Sequence, residues 1–370
     1  MGKKKVAYLT RHTVSNYGSA LQTYATQTAL ENLGYEPVCI NYWREDEKPE
    51  NIAKTLLQTS RWNKNALTRA LYRVTQKPVF DYAVKKFNEY RKPLFKVTEK
   101  EYNTVDELKN DLPDADVYMT GSDQVWNTIT KDEIDSAYFL SFVPDGKKKI
   151  AYAASFGGKS IKEEDKENIT KWLKRYDHVA IRENSGIKIA ENLGVEAVQV
   201  LDPTFLIEKK DWEKIIPKKQ PEQKYILVYQ LHPNKEFDRY AKAFAKKKNL
   251  PLYRVHPYFH HFVKCGKFIS CPPIEEFLWY IKNAGYFLTD SFHGTAFAIG
   301  LNTEFVDILP NKYSERNRSI LELVGLENRI LQSYDDFSIA DKPIDFEKVN
   351  KIIGTERQKS LDILRRMIEE

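Results

Sequence analysis

The sequence predicts an α/β protein of two doubly wound domains, each a parallel sheet with helices on both faces. Three observations predict it. Short β-prone apolar runs alternate with segments of helical period along the whole chain. The alternation breaks once, in a Lys- and Pro-rich stretch from Asp202 to Pro221. The length, 370 residues, exceeds what one ordinary core organises.

The elements follow in order. Val6 to Thr10 reads as a strand, Ala20 to Leu33 as a helix and Pro37 to Asn41 as a strand. Leu67, Ala70, Leu71 and Val74, then Val79, Phe80, Ala83, Val84 and Phe87, recur at helical spacing. They predict two amphipathic helices broken at Lys77-Pro78, since proline lacks the N–H a helix interior needs. Strands follow at Val117 to Thr120 and Ile150 to Ser155, then a helix at Glu163 to Lys174. Strand Val179 to Arg182, helix Ser185 to Leu193 and strand Val198 to Leu201 close the first series. The second runs through strand Tyr225 to Gln230, helix Lys235 to Lys248, strand Leu252 to Val255 and helix Ile274 to Asn283. Strand Tyr286 to Thr289, helix Thr295 to Gly300 and strand Phe305 to Ile308 complete it. Alternation of this kind predicts parallel sheets. The domains are therefore set at 1–205, with a basic helical insertion at about 54–96, and at 206–345. The last helix, 346–370, is kept apart, and its return to the first domain is left open. Domains of this type take ligands at the carboxyl ends of their strands, so the cleft between them is the expected site.

Charge narrows the partners. Between Lys54 and Lys96 stand eleven Lys/Arg and two Asp/Glu, a local +9 on a chain whose net charge is +6. A solvated helical hairpin explains this. So does a surface for anionic membrane or for an anionic, lipid-linked acceptor, with the apolar faces packed inward. No nucleic-acid-binding motif is present. No apolar run approaches the ~20 residues of a membrane span, and no signal-peptide core follows the basic N-terminus. A cytoplasmic location is expected, with peripheral contact at the inner membrane face as an option. Cys39, Cys265 and Cys271 form no Cys-x-x-Cys pair, and His256, His260 and His261 match no ligand spacing, so no metal is expected.

The polar residues gather in loops at strand ends. Asp290-Ser291-Phe292-His293-Gly294-Thr295 joins a strand to a small-residue helix. Helix N-termini carry free N–H groups and a positive dipole end, which suit phosphate and carboxylate, and a histidine there can donate a proton. An ordinary N-cap at Asp290 or Ser291 is the alternative. Arg11 to Ser19, with Asn16 and Tyr17, opens a helix that carries Gln22. Gly121-Ser122-Asp123-Gln124-Val125-Trp126-Asn127 sets a carboxylate, an amide and an indole together, as sugar hydroxyls and an aromatic platform require; an Asx-turn with a buried Trp is the alternative. Arg182 ends a strand, where it can clamp an anion bidentately or pair internally with Glu183 or Asp202. Arg316 and Arg318, in the loop 311–319, can reach an anion at the His293 turn or remain solvated.

Five motifs occur together in order. They are Asn16-Tyr17-Gly18-Ser19-Ala20-Leu21-Gln22-Thr23-Tyr24-Ala25, the 121–127 loop, Arg182-Glu183-Asn184-Ser185-Gly186, Leu201-Asp202-Pro203-Thr204 and Asp290 to Thr295. As a set, over roughly residues 5 to 330, they resemble the polysaccharide pyruvyl transferase family. The resemblance implies a GT-B-like fold of two Rossmann-like domains facing a central cleft. It implies transfer of a pyruvyl group from phosphoenolpyruvate to a sugar of a cell-surface polysaccharide or its lipid-linked precursor, as a cyclic ketal. No cofactor is implied beyond that donor substrate. His293 is then a candidate acid at the donor phosphate, and Asp123 a candidate base or sugar contact. Arg182, Ser291, Gly294, Thr295, Arg316 and Arg318 become candidate donor contacts. Asn16, Tyr17, Gln22, Gln124 and Trp126 join Asp123 on the acceptor side. Many family members carry arginine two positions before the histidine; this chain has Ser291, so Arg316 or Arg318 is a candidate replacement. Two other classes fit the same loops: a GT-B glycosyltransferase using a nucleotide sugar, and a non-catalytic sugar- or anion-binding protein.

Overall fold

The structure, a computed structural model, describes residues 2–58, 60, 62–127, 134–310 and 314–370, with the backbone alone at 260. The chain divides into two compact units, Met1–Leu206 with Glu356–Glu370, and Ile207–Thr355.

Unit 1 holds six parallel strands: β1 (Lys5–Leu9), β2 (Glu36–Cys39), β3 (Val117–Thr120), β4 (Lys148–Ala154), β5 (His178–Ile181) and β6 (Val198–Gln199), in the order β2-β1-β3-β4-β5-β6. Ala7 lies opposite Val38 on one side and Tyr118 on the other. Parallel strands need long crossovers, and helices supply them: α1 (Tyr17–Asn32), α2 (Ile52–Gln58), α3 (Ala66–Thr75), α4 (Lys77–Arg91), α5 (Val105–Asn110), α6 (Lys166–Leu173) and α7 (Asn184–Asn192). Covered on both faces, β1 is an unbroken apolar run, and Val6, Ala7, Tyr8 and Leu9 are wholly buried. β6 is a two-residue, exposed edge, shorter than its sequence suggests.

Unit 2 holds five parallel strands: β7 (Ile226–Tyr229), β8 (Leu252–His256), β9 (Lys267–Ser270), β10 (Tyr286–Thr289) and β11 (Phe305–Asp307), in the order β11-β10-β7-β8-β9. Helices α8 (Lys209–Ile215), α9 (Lys235–Lys248), α10 (Ile274–Asn283), α11 (Phe292–Leu301) and α12 (Glu315–Val324) accompany them. A last helix, α13 (Phe346–Glu369), begins in unit 2 and ends in unit 1. There Leu201 N donates to Ser360 Oγ at 3.1 Å, and Lys4 Nζ to Glu369 at 2.9 Å. β9 escaped the sequence reading because Lys267-Phe268-Ile269-Ser270 is a short edge strand that no residue fully buries.

The basic insertion departs from expectation. α4 packs its apolar face, with Ala83, Val84 and Phe87 buried. α3 does not: Leu67 is 78% exposed, Val74 75% and Leu71 48%. α3 rests on α2 and α4 through the opposite side, where Tyr72 is buried and donates to Ala53 O at 2.9 Å. Nor is every cation outward. The Arg91 guanidinium is buried and donates to His12 O and Phe87 O.

In each sheet the strand order reverses direction once, between β1 and β3 and between β7 and β10. Such a switch point opens a crevice outside the carboxyl ends of the strands. The loops that follow these four strands contain most of the candidate residues.

Candidate active-site loops

The unit 2 loop is built from its switch point. Asp290, at the end of β10, accepts from Leu231 N at 2.7 Å and His232 N at 2.8 Å, locking the β7 and β10 loops together. Ser291 is the N-cap of α11, its Oγ accepting from Gly294 N at 3.3 Å. His293 therefore sits in the first turn of α11, which starts three residues earlier than the sequence suggests. Its residue is 7% exposed, and its ring stands edge-on to Phe292 with centroids 5.1 Å apart. Gly294 is required by a close approach. A Cβ there would lie 2.4 Å from Thr289 Oγ1, which itself donates to Tyr229 O at 2.8 Å.

Behind the turn, Asp307 accepts from Thr295 Oγ1 at 2.7 Å and Asn317 Nδ2 at 2.8 Å. Burial pushes its carboxyl up to about 7, against the opposing pull of Asn317 and Thr295. Thr295 is wholly buried, so the expected donor contact is corrected to a structural one. Ser291 likewise directs its hydroxyl to the cap. The guanidinium of Arg316 lies over the Phe292 ring, 5.7 Å from its centroid, beside the His293 turn. Arg318 is exposed on α12. The start of that loop, 311–313, lies outside the described residues.

The unit 1 loops form one buried polar network. Thr10 Oγ1, after β1, donates to Ser122 O, after β3, at 2.7 Å. Asn16 caps α1, accepting from Gly18 N at 2.8 Å and Ser19 N at 3.2 Å. Ser19 Oγ then donates to Asp123 at 2.5 Å. Asp123 has φ +81°, a left-handed conformation that a non-glycine residue adopts rarely, and such strain tends to collect at functional sites. Arg182 is enclosed by acids: Asp202 at 2.8 Å, Glu183 at 3.4 Å and Asp123 at 3.8 Å. Burial alone would lower its pKa, but the charges of Asp202, Glu183 and Asp123 raise it instead. Ser122 and Ser155 complete the network through Asp202 and Glu183, at 2.8 and 2.6 Å. The internal ion pair is thus the arrangement found for Arg182, and its expected place as a donor clamp is corrected to one beneath the Asp123 loop.

Three acceptor-side expectations are corrected by burial. Trp126 is 1% exposed, stacks on Phe139 at 5.3 Å and donates to Tyr138 O, so it is a core residue and no platform. Tyr17 is wholly buried against Phe87, with ring centroids 4.9 Å apart. Gln22 is wholly buried and donates to Thr10 Oγ1 at 2.8 Å. Asn16 and Gln124 are half-buried, and Asp123, 7% exposed, belongs to the buried network beside them. Ser19, Ser122 and Ser155 were missed as partners; their one signal was position, at strand ends or in the first turn of α1.

Among the described residues, no group of three or more His, Cys, Asp and Glu is placed to hold a metal ion. His256 instead stacks on His261 at 3.6 Å, and its Nδ1 accepts from Tyr258 N. A cavity of about 630 Å³ opens at the amino ends of β5 and β6, lined by His178, Val198, Arg366 and Met367. It takes none of the candidate residues and lies at the wrong end of the strands for a switch-point ligand.

The fold has solved counterparts. A UDP-N-acetylglucosamine 2-epimerase from Rickettsia bellii aligns at TM-score 0.54 with 12% identity, over 99% of this chain and 97% of that one. The Neisseria meningitidis UDP-GlcNAc 2-epimerase bound to UDP-GlcNAc aligns at 0.50 with 10% identity, over 99% of both chains. An alpha-glucosyltransferase in complex with UDP and a 13-mer DNA aligns at 0.51 with 8% identity, over 100% of both. At such identities these likenesses establish architecture alone: a GT-B-like pair of Rossmann-like domains. No curated protein matches the chain by sequence. The motif-bearing loops at both switch points nevertheless fall inside one sequence model, that of polysaccharide pyruvyl transferase, which matches residues 16–313. The chain belongs to the polysaccharide pyruvyl transferase family, a family of enzymes.

Proposed function

We propose that the protein transfers the pyruvyl group of phosphoenolpyruvate to two hydroxyls of one sugar, forming a cyclic ketal and releasing phosphate. The observation that carries this reading is His293, held in the first turn of α11 with Arg316 beside it. Phosphoenolpyruvate has two anionic groups, and a helix N-terminus with a histidine and an arginine matches them.

The reaction needs a proton on the methylene carbon, which leaves the adjacent carbon cationic. One sugar hydroxyl adds there and loses its proton. The carbon–oxygen bond to phosphate breaks, and the second hydroxyl adds in its place. His293 acts at the phosphate, holding its charge or supplying a proton. Arg316 replaces the cation that other family members carry two positions before the histidine. Asp123 takes the proton of an attacking hydroxyl, with Ser19 holding its carboxylate in place. Asn16 and Gln124 flank it on the acceptor side. The acceptor is a sugar of a polysaccharide or of its lipid-linked precursor.

A nucleotide-sugar reading has its own support, because two of the structural counterparts hold UDP or UDP-GlcNAc. Thermal-shift titration separates the two. A ligand that binds the folded state raises the melting temperature. Phosphoenolpyruvate is expected to raise it, and His293→Ala to abolish the shift. A shift with UDP or UDP-GlcNAc and none with phosphoenolpyruvate would replace pyruvyl transfer with glycosyl transfer. No shift with either would favour a non-catalytic binding protein.

A further inference from the structure

The exposed face of α3 is an apolar stripe with charge beside it. Leu67, Ala70, Leu71 and Val74 follow the i, i+3, i+4, i+7 spacing of one helix face, and all four are exposed. They point away from Tyr72, which anchors the helix to unit 1. Exposed Arg73 borders the stripe, half-buried Arg69 lies one turn earlier and closer to the Tyr72 side, and Lys64 stands just before the helix. Among the described residues, Lys54, Lys64, Arg69 and Arg73 pair with no carboxylate. No acidic residue occurs anywhere from 51 to 80. By contrast, Lys77 and Lys86 on α4 pair with Asp81 and Glu89, at 2.5 and 2.9 Å.

We infer that α3 is a membrane-docking helix. Its leucines and valine enter the headgroup boundary of an anionic phospholipid bilayer, and its flanking cations meet the lipid phosphates. Charge complementarity selects this occupant, because an exposed apolar stripe whose own helix carries cations and no acid suits an anionic surface and repels a second copy of itself. Electrostatic attraction without insertion would leave the stripe in water, which soluble surfaces rarely do. This inference is independent of the donor chemistry.

Co-sedimentation of the full chain with vesicles of phosphatidylglycerol and phosphatidylcholine tests it. Binding is expected at low salt and much less to phosphatidylcholine alone. Arg69→Gln with Arg73→Gln should weaken it roughly 25-fold, about fivefold per cation. Leu67→Gln with Leu71→Gln should weaken it by about tenfold or more at every salt concentration, with an unchanged melting temperature because both residues are exposed. A polarity-sensitive fluorophore on Val74→Cys should shift to the blue on the mixed vesicles. Three results would overturn the inference: no binding to the mixed vesicles at low salt; full binding by the leucine variant; or, without vesicles, self-association that the leucine variant abolishes, which would assign the stripe to a second copy.

Discussion

The Thr295 hydroxyl meets the Asp307 carboxylate at 2.7 Å, tying the first turn of α11 to the end of β11. Burial holds the Asp307 carboxyl at about 7 against its ordinary 3.8. Between about pH 4 and 7 the folded protein therefore keeps a proton that the unfolded chain has released. Stability falls as pH rises through that window, by roughly 1.4 kcal/mol per unit at most, and levels off above it. Denaturant unfolding across this range should show that fall in the parent protein and a flattened profile in Asp307→Asn. Parallel profiles would mean that Asp307 does not titrate there.

Gly294→Ala should destabilise unit 2 by roughly 2 kcal/mol or more, since its Cβ would meet Thr289 Oγ1 and overpacking has no slack there. Thr289→Ala removes that oxygen, so the double variant should recover part of the loss. A thermal-unfolding double-mutant cycle with no coupling would disprove the contact.

Arg182→Lys keeps a charge but loses the planar fork among Asp202, Glu183 and Asp123. Breaking a buried ion pair costs about 3–5 kcal/mol. The expected result is a lower melting temperature, with phosphoenolpyruvate affinity unchanged in whatever fraction stays folded. Reduced donor affinity at an unchanged melting temperature would return Arg182 to the donor site.

His293→Ala should fold and lose about 10²-fold or more in turnover, the scale of a lost general acid. Asp123→Asn should lose turnover on the same scale while keeping the loop, since asparagine tolerates the left-handed region. Measured kcat near the parent value in a folded variant would remove that residue from the chemistry.

Much of the fold was legible because parallel strands buried on both faces leave dense apolar runs, as at Val6 to Leu9 and Ile226 to Tyr229. The edge strands were the weak points: β9 is half-exposed and β6 has two residues, so neither carries a strong pattern. The motif loops were legible as positions but not as roles. Asp123 and Trp126 stand three residues apart, yet one joins the buried polar network of the loops and the other the apolar core. Spacing cannot decide that; the stacking on Phe139 does. Arg182 was ambiguous for the same reason, since its acids come from three separate loops. On α3 the apolar period was plain, but whether anything covered it depended on how α4 packs.

The path of α13 bears on how the protein is made. Unit 1 needs residues 356–370, whose Ser360, Arg357 and Glu369 contact Leu201, Phe205, Lys4 and Tyr35. A ribosome delivers those residues after all of 207–355. The uninterrupted second unit can therefore complete its fold first, while the nascent first sheet waits, its cover still missing. The expected order of completion is thus the reverse of the order of synthesis. In a nascent chain stalled near residue 355, protease resistance should mature in the second unit before the first.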